Sequence, residues 1–219
     1  MKRKSVLIVI LAIMLLSGGG IGYYYWYQGS NYVQTEDSRI AGDIYRVMPK
    51  ISGKLAALSV EEGDTVIADQ IVGNQDQSNL STNQLDNAIL RAPISGTVIK
   101  TLAKEGEVVA PGQALAMIVD KSNLYINANI EETELNRVHV GQTVDITVDT
   151  FPGRVLKGEV NEIGEATVST FSLLPAINTS GNFTKITQRI PLKIAFTDTQ
   201  GLNLSPGLNT VIKIHVKEK

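Results

Sequence analysis

One stretch of this 219-residue chain occurs twice. PKISGKLAALSVEEGDTV begins at Pro49, and the similar APISGTVIKTLAKEGEVV begins at Ala92. Each copy predicts a short apolar strand, a tight EGD or EGE turn and a second short strand. Neither copy can bury its apolar side alone, so the two are predicted to pack together as one β-unit. We expect four glycines to occupy turns, where a positive φ costs glycine little: Gly53, Gly63, Gly96 and Gly106.

Two facing β-halves of this kind resemble lipoyl and biotinyl carrier domains, which hold a modified lysine in the turn that joins the halves. No lysine lies between Lys54 and Lys100. The junction therefore has no residue to modify, and no cofactor is predicted. A β-duplication without any carrier role stays open as the alternative.

The junction itself is the polar stretch Gln77–Leu90. Ser81 and Gln84 have the spacing of a capping box, and the apolar residues of NQLDNAIL fall on one helical face. We therefore predict a helix of two to three turns over Thr82–Leu90, with a polar surface loop as the alternative. Fourteen residues of helix would be about 21 Å long, and about half that if folded back as a hairpin.

The N-terminus has the pattern of a membrane anchor. Three basic residues, Lys2–Lys4, precede the unbroken apolar run Val6–Leu16, and an aromatic cluster follows at Tyr23–Tyr27. A helix from Val6 to Tyr27 would span about 33 Å, close to the bilayer core of about 30 Å. The basic end predicts an N-terminus in the cytoplasm, with the aromatic belt and the body outside. A cleaved signal peptide is the alternative, because the apolar run alone has that length.

Composition excludes several functions for the body. The chain has 20 basic and 22 acidic residues, and without Lys2–Lys4 the balance is 17 to 22, about five net negative charges. A nucleic-acid protein needs a basic face, so no nucleic acid is expected as a partner. The chain has no cysteine, which excludes disulfides, thiolate metal sites and cysteine nucleophiles.

The chain after Asp120 predicts a second β-domain. Apolar residues alternate with polar ones in LYINANI, TVDITVD, RIPLKIAF and LNTVIKIHV, the pattern of half-buried antiparallel strands. EETELNRV, Glu131–Val138, predicts a short helix or turn that Gly141 closes. The extended stretch Tyr32–Val47 could add a strand. The predicted fold is mainly β: an N-terminal transmembrane helix, a lipoyl-like unit and an antiparallel β-barrel.

One segment, Gly164–Lys185, has no strand or helix periodicity. A loop of about 20 residues in a compact domain is uncommon and is often functional. Its apolar residues Phe171, Leu173 and Leu174 either pack back on the barrel or form a partner surface.

No enzyme or metal site is predicted. His139 and His215 are the only histidines, and no carboxylate cluster accompanies them. Glu131 and Glu132 are explained by the start of a solvated helix. Phosphate-binding, nucleophile-elbow and zinc-protease motifs are all missing from the sequence.

The order of these parts resembles the HlyD/EmrA-type membrane fusion proteins, the periplasmic adaptors of efflux and secretion systems. TEDSRIAG resembles the family's lead strand, LRAPISGTV its exit from the helical hairpin, and NIEETELNRVHVGQTVDITVD its barrel entry. FSLLPAINTSGNFTKITQRIPLKI, Phe171–Ile194, resembles the EmrA-type signature and is the most specific of these matches. The insertion Gln77–Leu90 departs from the family, in which a long coiled-coil hairpin stands between the lipoyl halves.

The resemblance implies a division of the chain into seven parts. These are a basic tail (1–5), the anchor (6–27), a linker and lead strand that joins the barrel (28–48), the first lipoyl-like half (49–76), a helical hairpin remnant (77–90), the second half (91–120) and the barrel domain (121–219).

The resemblance also implies a non-enzymatic adaptor that works with an inner-membrane transporter of the major facilitator type in the export of drugs or other small molecules. Copies would assemble into a ring or funnel, and the short hairpin limits docking to an outer-membrane channel. A structural envelope protein and an adaptor for protein or peptide secretion are the alternatives. The residues expected to contact the transporter or a neighbouring copy are Phe171, Leu173, Leu174, Asn178, Gly181 and Asn182.

Overall fold

The structure of the chain is a computed structural model that describes residues 2–78, 80–171 and 187–217, without the side chains of residues 2–10, 83 and 171. The α-helix is α1, Lys2–Asn31. The strands are β1 Tyr32–Ala41, β2 Ile44–Val47, β3 Gly53–Leu58, β4 Thr65–Val66, β5 Ile71–Gln75, β6 Ile89–Arg91, β7 Gly96–Thr101, β8 Val108–Val109, β9 Ala116–Val119, β10 Tyr125–Glu131, β11 Thr143–Val148, β12 Val155–Ile163, β13 Arg189–Asp198 and β14 Asn209–His215. Short 3₁₀ helices occupy Thr82–Gln84, Asp86–Ala88, Lys121–Asn123, Glu132–Arg137 and Val168–Phe171.

The chain divides into two compact units. The barrel unit consists of Met1–Arg39, Ile126–Leu202 and Leu208–Lys219, and the repeat unit consists of Ile40–Tyr125 with Asn203–Gly207.

Six strands close the barrel in the order β1-β10-β13-β12-β11-β14. The alternation predicted from the sequence is confirmed, because the apolar residues of each predicted strand face the barrel interior while their neighbours face outward. The buried residues include Ile126, Ala128, Ile130, Val144, Ile146, Val148, Ile190, Leu192, Ile194, Ile212 and Ile214.

One barrel strand, β12, was not predicted. Its sequence VLKGEVNEI alternates in the same way, with Leu156 and Val160 buried on either side of Gly158. Gly158 is required by space, since a Cβ there would lie 2.6 Å from the Ala195 carbonyl oxygen and 2.8 Å from Ile146 Cδ1. Gly158 occupies an inward position without an apolar side chain, so it interrupts the alternation of apolar residues. The sequence pattern that indicates a strand is therefore weaker for β12 than for its neighbours.

The repeat unit has two four-stranded sheets, ordered β2-β9-β7-β4 and β6-β5-β3-β8. The two copies exchange strands: β4 of the first copy pairs with β7 of the second, and β8 of the second pairs with β3 of the first. Because each sheet takes strands from both copies, neither copy can form its sheet alone. The prediction that the copies pack as one β-unit is thus confirmed, and the means is pairing of strands as well as burial.

The acidic residue of each EG turn reaches the other copy. The Glu62 carboxylate accepts a hydrogen bond from the backbone N–H of Thr101, and the Glu105 carboxylate accepts one from Leu58, both at 3.2 Å. The sequence EG therefore recurs because each turn caps the end of a strand in its partner copy.

The glycines divide into two groups. Gly63, Gly106 and Gly141 have φ values of +100°, +89° and +94° and occupy turns as predicted. The turn prediction was wrong for Gly53 and Gly96, which begin strands β3 and β7. Gly96 is required by space, because a Cβ there would lie 2.4 Å from the Val119 carbonyl oxygen.

The junction does not form the predicted helix of two to three turns. Among its described residues, two single 3₁₀ turns cover Thr82–Gln84 and Asp86–Ala88, and Ile89 begins strand β6. Leu90 is 1% exposed within the core of the repeat unit. Burial of this apolar end in a sheet is more favourable than extending a short polar helix into water.

The lead segment Tyr32–Val47 is extended, as predicted, but it serves both units. Its first part forms barrel strand β1, and Ile44–Val47 forms β2, which pairs with β9 in the repeat unit. The single assignment of residues 28–48 to the barrel was therefore wrong for the last strand.

Gly96→Ala should destabilise the repeat unit by about 1–3 kcal/mol, because the new methyl group would collide with backbone. Gly53→Ala is the matched control at the equivalent position, where a Cβ would meet the Gln75 side chain at 3.3 Å. We expect the control to lose less than half as much free energy of unfolding. Urea denaturation of the full chain in detergent measures both, and equal losses would contradict this account.

Candidate functional site

Several features that do not belong to the hydrophobic core lie together at one end of the barrel. We call this end the helix rim. Tyr32 and His215 pair there, and each of the other barrel strands also has one end there. The helix rim consists of one terminal residue from each barrel strand: Tyr32, Glu131, Thr143, Ile163, Arg189 and His215. Helix α1 enters the barrel at this rim through Asn31 and Tyr32.

The C-terminal end of α1 is held to the barrel by two basic side chains. Arg137 donates a hydrogen bond of 2.6 Å to the Gly29 carbonyl oxygen, and Lys217 donates one of 2.8 Å to the Ser30 hydroxyl. The last carbonyls of a helix have no partner within it and carry partial negative charge. Arg137 therefore satisfies one of these carbonyls, and together with Lys217 it fixes the direction of the helix end relative to the barrel.

The long segment after β12 leaves and returns at the same rim. Ser169 lies in the 3₁₀ helix Val168–Phe171, near the start of the segment Gly164–Lys185, and donates a hydrogen bond to the side chain of Gln188, just beyond the segment's end. The Gln188 carbonyl accepts a hydrogen bond of 2.9 Å from the Glu132 N–H. Both described ends of the segment are thus fixed beside the 3₁₀ helix Glu132–Arg137. The side chain of Phe171 and the residues Leu173, Leu174, Asn178, Gly181 and Asn182 lie outside what the structure describes.

Aromatic rings connect α1 with the barrel wall. The Tyr27 and Tyr32 rings lie 6.5 Å apart, and Tyr32 meets the His215 ring edge-on at 4.9 Å. Lys213 places its ammonium group 5.2 Å from the centre of the Tyr32 ring.

His215 continues this chain of contacts to a charged group on the barrel surface. Its Nε2 lies 3.0 Å from one oxygen of Asp145, and Lys157 lies 2.5 Å from the other. Burial raises the pKa of Asp145, but hydrogen bonds from Lys157 and His215 and the attraction of both groups outweigh it, so the pKa lies below its usual value. Asp145 is 70 residues away from His215 in the chain, so no local motif in the sequence reveals this pair.

The described residues offer no candidate metal site. His139 lies just after the 3₁₀ helix at Glu132–Arg137, and no group of three His, Asp or Glu able to hold a metal ion occurs in the part of the chain that is described.

The junction of the repeats is a small polar surface. The hydroxyl and N–H of Ser78 donate to Asp76 and lower the pKa of that carboxyl. Arg91 lies 3.6 Å from Asp86 and donates to the Asp69 carbonyl oxygen.

Helix α1 presents an aromatic cluster at its barrel end. The exposed fractions of Tyr23, Tyr25 and Trp26 are 64%, 71% and 66%. Within the residues whose side chains are described, no helix has the length and apolar content needed to cross a membrane. Val6, where the predicted anchor begins, lies outside those residues, whereas Tyr27, where it ends, lies within α1.

Comparison with known families assigns both units. The repeat region matches the family model for the barrel-sandwich hybrid domain of RND membrane fusion proteins over residues 43–121. The barrel region matches the AAEA-like β-barrel domain over residues 123–215. The class defined by this pair of domains is that of membrane fusion proteins.

Individual relatives agree with this class. The chain is 38% identical to "Putative efflux system component YhbJ" of Bacillus subtilis (strain 168) over 85% of its own length and 81% of the relative. It is 32% identical to the colistin resistance protein EmrA of Acinetobacter baumannii, over 64% of this chain and 40% of that protein. The chain thus spans less than half of that EmrA relative.

The fold agrees as well. The structure of the periplasmic adaptor protein EmrA matches with a TM-score of 0.57 at 14% identity, over 84% of this chain and 98% of that one. This chain belongs to the membrane fusion protein family, and within it to the HlyD/EmrA type.

Asp145→Asn should lower the melting temperature at neutral pH and leave it unchanged in acid. A carboxyl whose pKa is lowered in the folded state contributes stability above its usual pKa of about 3.8, and that stability disappears as the pH falls through the lowered value. The loss should not exceed about 1 kcal/mol, since the pair is partly exposed to solvent.

Melting curves of the wild type and Asp145→Asn between pH 2 and pH 7 measure this difference, with the exposed Asp149→Asn as control. A difference in melting temperature that stays constant across this range would contradict the assignment.

Proposed function

We propose that this chain is a membrane-anchored, non-enzymatic adaptor that assembles with an inner-membrane transporter and supports the export of drugs or other small molecules. The relatives are named as an efflux system component and a colistin resistance protein. The observation that carries the proposal is the helix rim, where α1 and both ends of the long segment meet on one side of the barrel. In this proposal the rim faces the bilayer and a transporter embedded in it.

In this proposal α1 anchors the body in a single pass, with the N-terminus in the cytoplasm. The basic residues Lys2–Lys4 and the aromatic cluster Tyr23–Tyr27 at opposite ends support this orientation. Arg137 and Lys217 then fix the orientation of the barrel relative to the anchor, because both bind the end of α1.

The transporter contact is proposed for the segment that carries Phe171, Leu173, Leu174, Asn178, Gly181 and Asn182, and we propose a transporter of the major facilitator type. The support is the apolar content of the segment in a stretch rich in Ser, Thr and Asn. The same surface could also meet a neighbouring copy in a ring.

The junction of the repeats is proposed to have no long reach. Its described residues form single 3₁₀ turns over Thr82–Ala88, with Asp76 and Ser78 before them. Contact of this chain with a distant outer-membrane channel would therefore need another protein between them.

Site-specific photo-cross-linking in native membranes tests the adaptor proposal. A photoreactive amino acid at Val168, near the start of the segment, should capture a transporter. The matched control is Val155, which begins β12 at the opposite end of the barrel. The two valines are 45% and 46% exposed, so accessibility does not distinguish them.

Mass spectrometry of the cross-linked products identifies the partner. A transporter captured at Val168 and not at Val155 is the expected result. Capture of no transporter at Val168 would favour the structural envelope protein, and capture of a secretion component would favour the secretion adaptor.

Replacing Phe171, Leu173 and Leu174 by Ser should weaken the transporter contact at least about tenfold. Burial of one large apolar side chain contributes about 1.5–3 kcal/mol, and 1.4 kcal/mol is a factor of ten. Co-purification of the transporter and drug export in cells measure the effect, and Val155→Ser is the control. Unchanged folding together with unchanged export would end the assignment of this segment.

A further inference from the structure

A polar cavity of about 310 Å³ opens at the helix rim between the end of α1, β1 and β10. Two acidic and two basic side chains line it, so their formal charges cancel. These four residues are Glu131, Glu134, Arg137 and Arg189.

The two guanidinium groups keep donors for a ligand. Arg137 donates to Glu134 at 2.5 Å and to the Gly29 carbonyl at 2.6 Å, and Arg189 pairs with Asp37. Each guanidinium has five N–H donors in a planar fork, and the contacts with described residues use two donors of Arg137 and one of Arg189. Both side chains remain accessible, at 32% and 54% exposure.

The position of the cavity relates it to the aromatic cluster. Gly29, in its lining, follows Tyr27 by two residues, which is about 3 Å along a helix axis. Tyrosine and tryptophan clusters mark the level of the lipid headgroups. On the proposed anchor, the cavity therefore opens within the headgroup layer of the outer leaflet.

We infer that this cavity binds the headgroup of a zwitterionic phospholipid that carries a primary ammonium group, such as phosphatidylethanolamine. The inference rests on the proposed membrane anchor. The lipid phosphate accepts hydrogen bonds from Arg137 and Arg189, which match its geometry. The ammonium group donates to the carboxylates of Glu131 and Glu134, near the negative end of the α1 dipole.

Other headgroups fit less well. An anionic headgroup would need a surplus of positive charge, and the four lining charges cancel. A choline group has no N–H to donate to carboxylates and prefers aromatic faces. The aromatic ring of the lining belongs to Tyr32, which already contacts His215 and Lys213.

Lipid titration of the delipidated full chain in detergent tests this inference, with native mass spectrometry to count bound lipids. Phosphatidylethanolamine should be retained more strongly than phosphatidylcholine or phosphatidylglycerol. Arg189→Gln and Glu131→Gln should each weaken its binding on the order of tenfold, since each removes a charged hydrogen-bond partner.

Lys157→Gln is the matched control, because Lys157 is 53% exposed, pairs with an aspartate as Arg189 does, and lies on β12 outside the cavity lining. Water-soluble glycerophosphoethanolamine distinguishes a headgroup site from general affinity for acyl chains, because it has the headgroup without the chains. It should displace the lipid from the wild type and should not displace lipid from residual sites in Arg189→Gln. Binding of the soluble compound without binding of the lipid would overturn the lipid assignment.

Equal retention of the three lipids, or equal binding by Arg189→Gln and the wild type, would also overturn the inference. Flotation with vesicles separates it from the proposed function. A chain that fails to float would overturn both. A chain that floats and cross-links to a transporter at Val168, but binds all three lipids alike, would overturn the lipid site alone.

Discussion

The exchange of strands between the two copies is the interaction on which the repeat unit depends. Each EG turn gives its carboxylate to a strand end in the other copy, through Glu62 to Thr101 and Glu105 to Leu58. Gly63 and Gly106 hold these turns with positive φ and donate to Val98 and Leu55 of the opposite copy, both at 2.8 Å. Removing either copy would leave the other with unpaired strand edges, so the duplication is a condition for folding.

The barrel unit is organised by its asymmetry. One rim receives α1, holds it through Arg137 and Lys217, and carries both described ends of the long segment. The charged and aromatic groups are linked there from Tyr27 through Tyr32 and His215 to Asp145. Val155 lies at the opposite end of the barrel, away from these groups. The proposed membrane and partner contacts therefore fall on one side of the barrel.

Much of the fold could be predicted because it follows from local patterns. Period-two alternation identified the inward faces of four barrel strands, and the repeated EG turns identified paired β-halves. The pattern was weaker at positions where only glycine fits. Gly158 interrupts the alternation of β12, and Gly96 begins a strand at a point where the Val119 carbonyl leaves no room for a Cβ. The predicted helix failed because Ile89 and Leu90 are taken by a sheet, a tertiary effect that a short periodic stretch does not reveal.

The candidate site was less accessible to sequence reasoning for a similar reason. The long aperiodic segment could be recognised from composition alone. The contacts of Arg137 with Gly29 and of His215 with Asp145 join residues 108 and 70 positions apart. Neither pair forms a motif, so only the closed barrel brings them together.

The junction of the repeats has a consequence for how such proteins vary. It connects β5 to β6, and Asn74 of β5 and Ile89 of β6 are partners in the β5–β6 ladder, so the chain leaves and re-enters the unit at neighbouring points. Doubling a loop closed in this way costs only about 0.6 kcal/mol. Insertions of very different length can therefore grow from this point while both sheets stay unchanged, and the distance that a member of the family bridges becomes independent of the stability of its core.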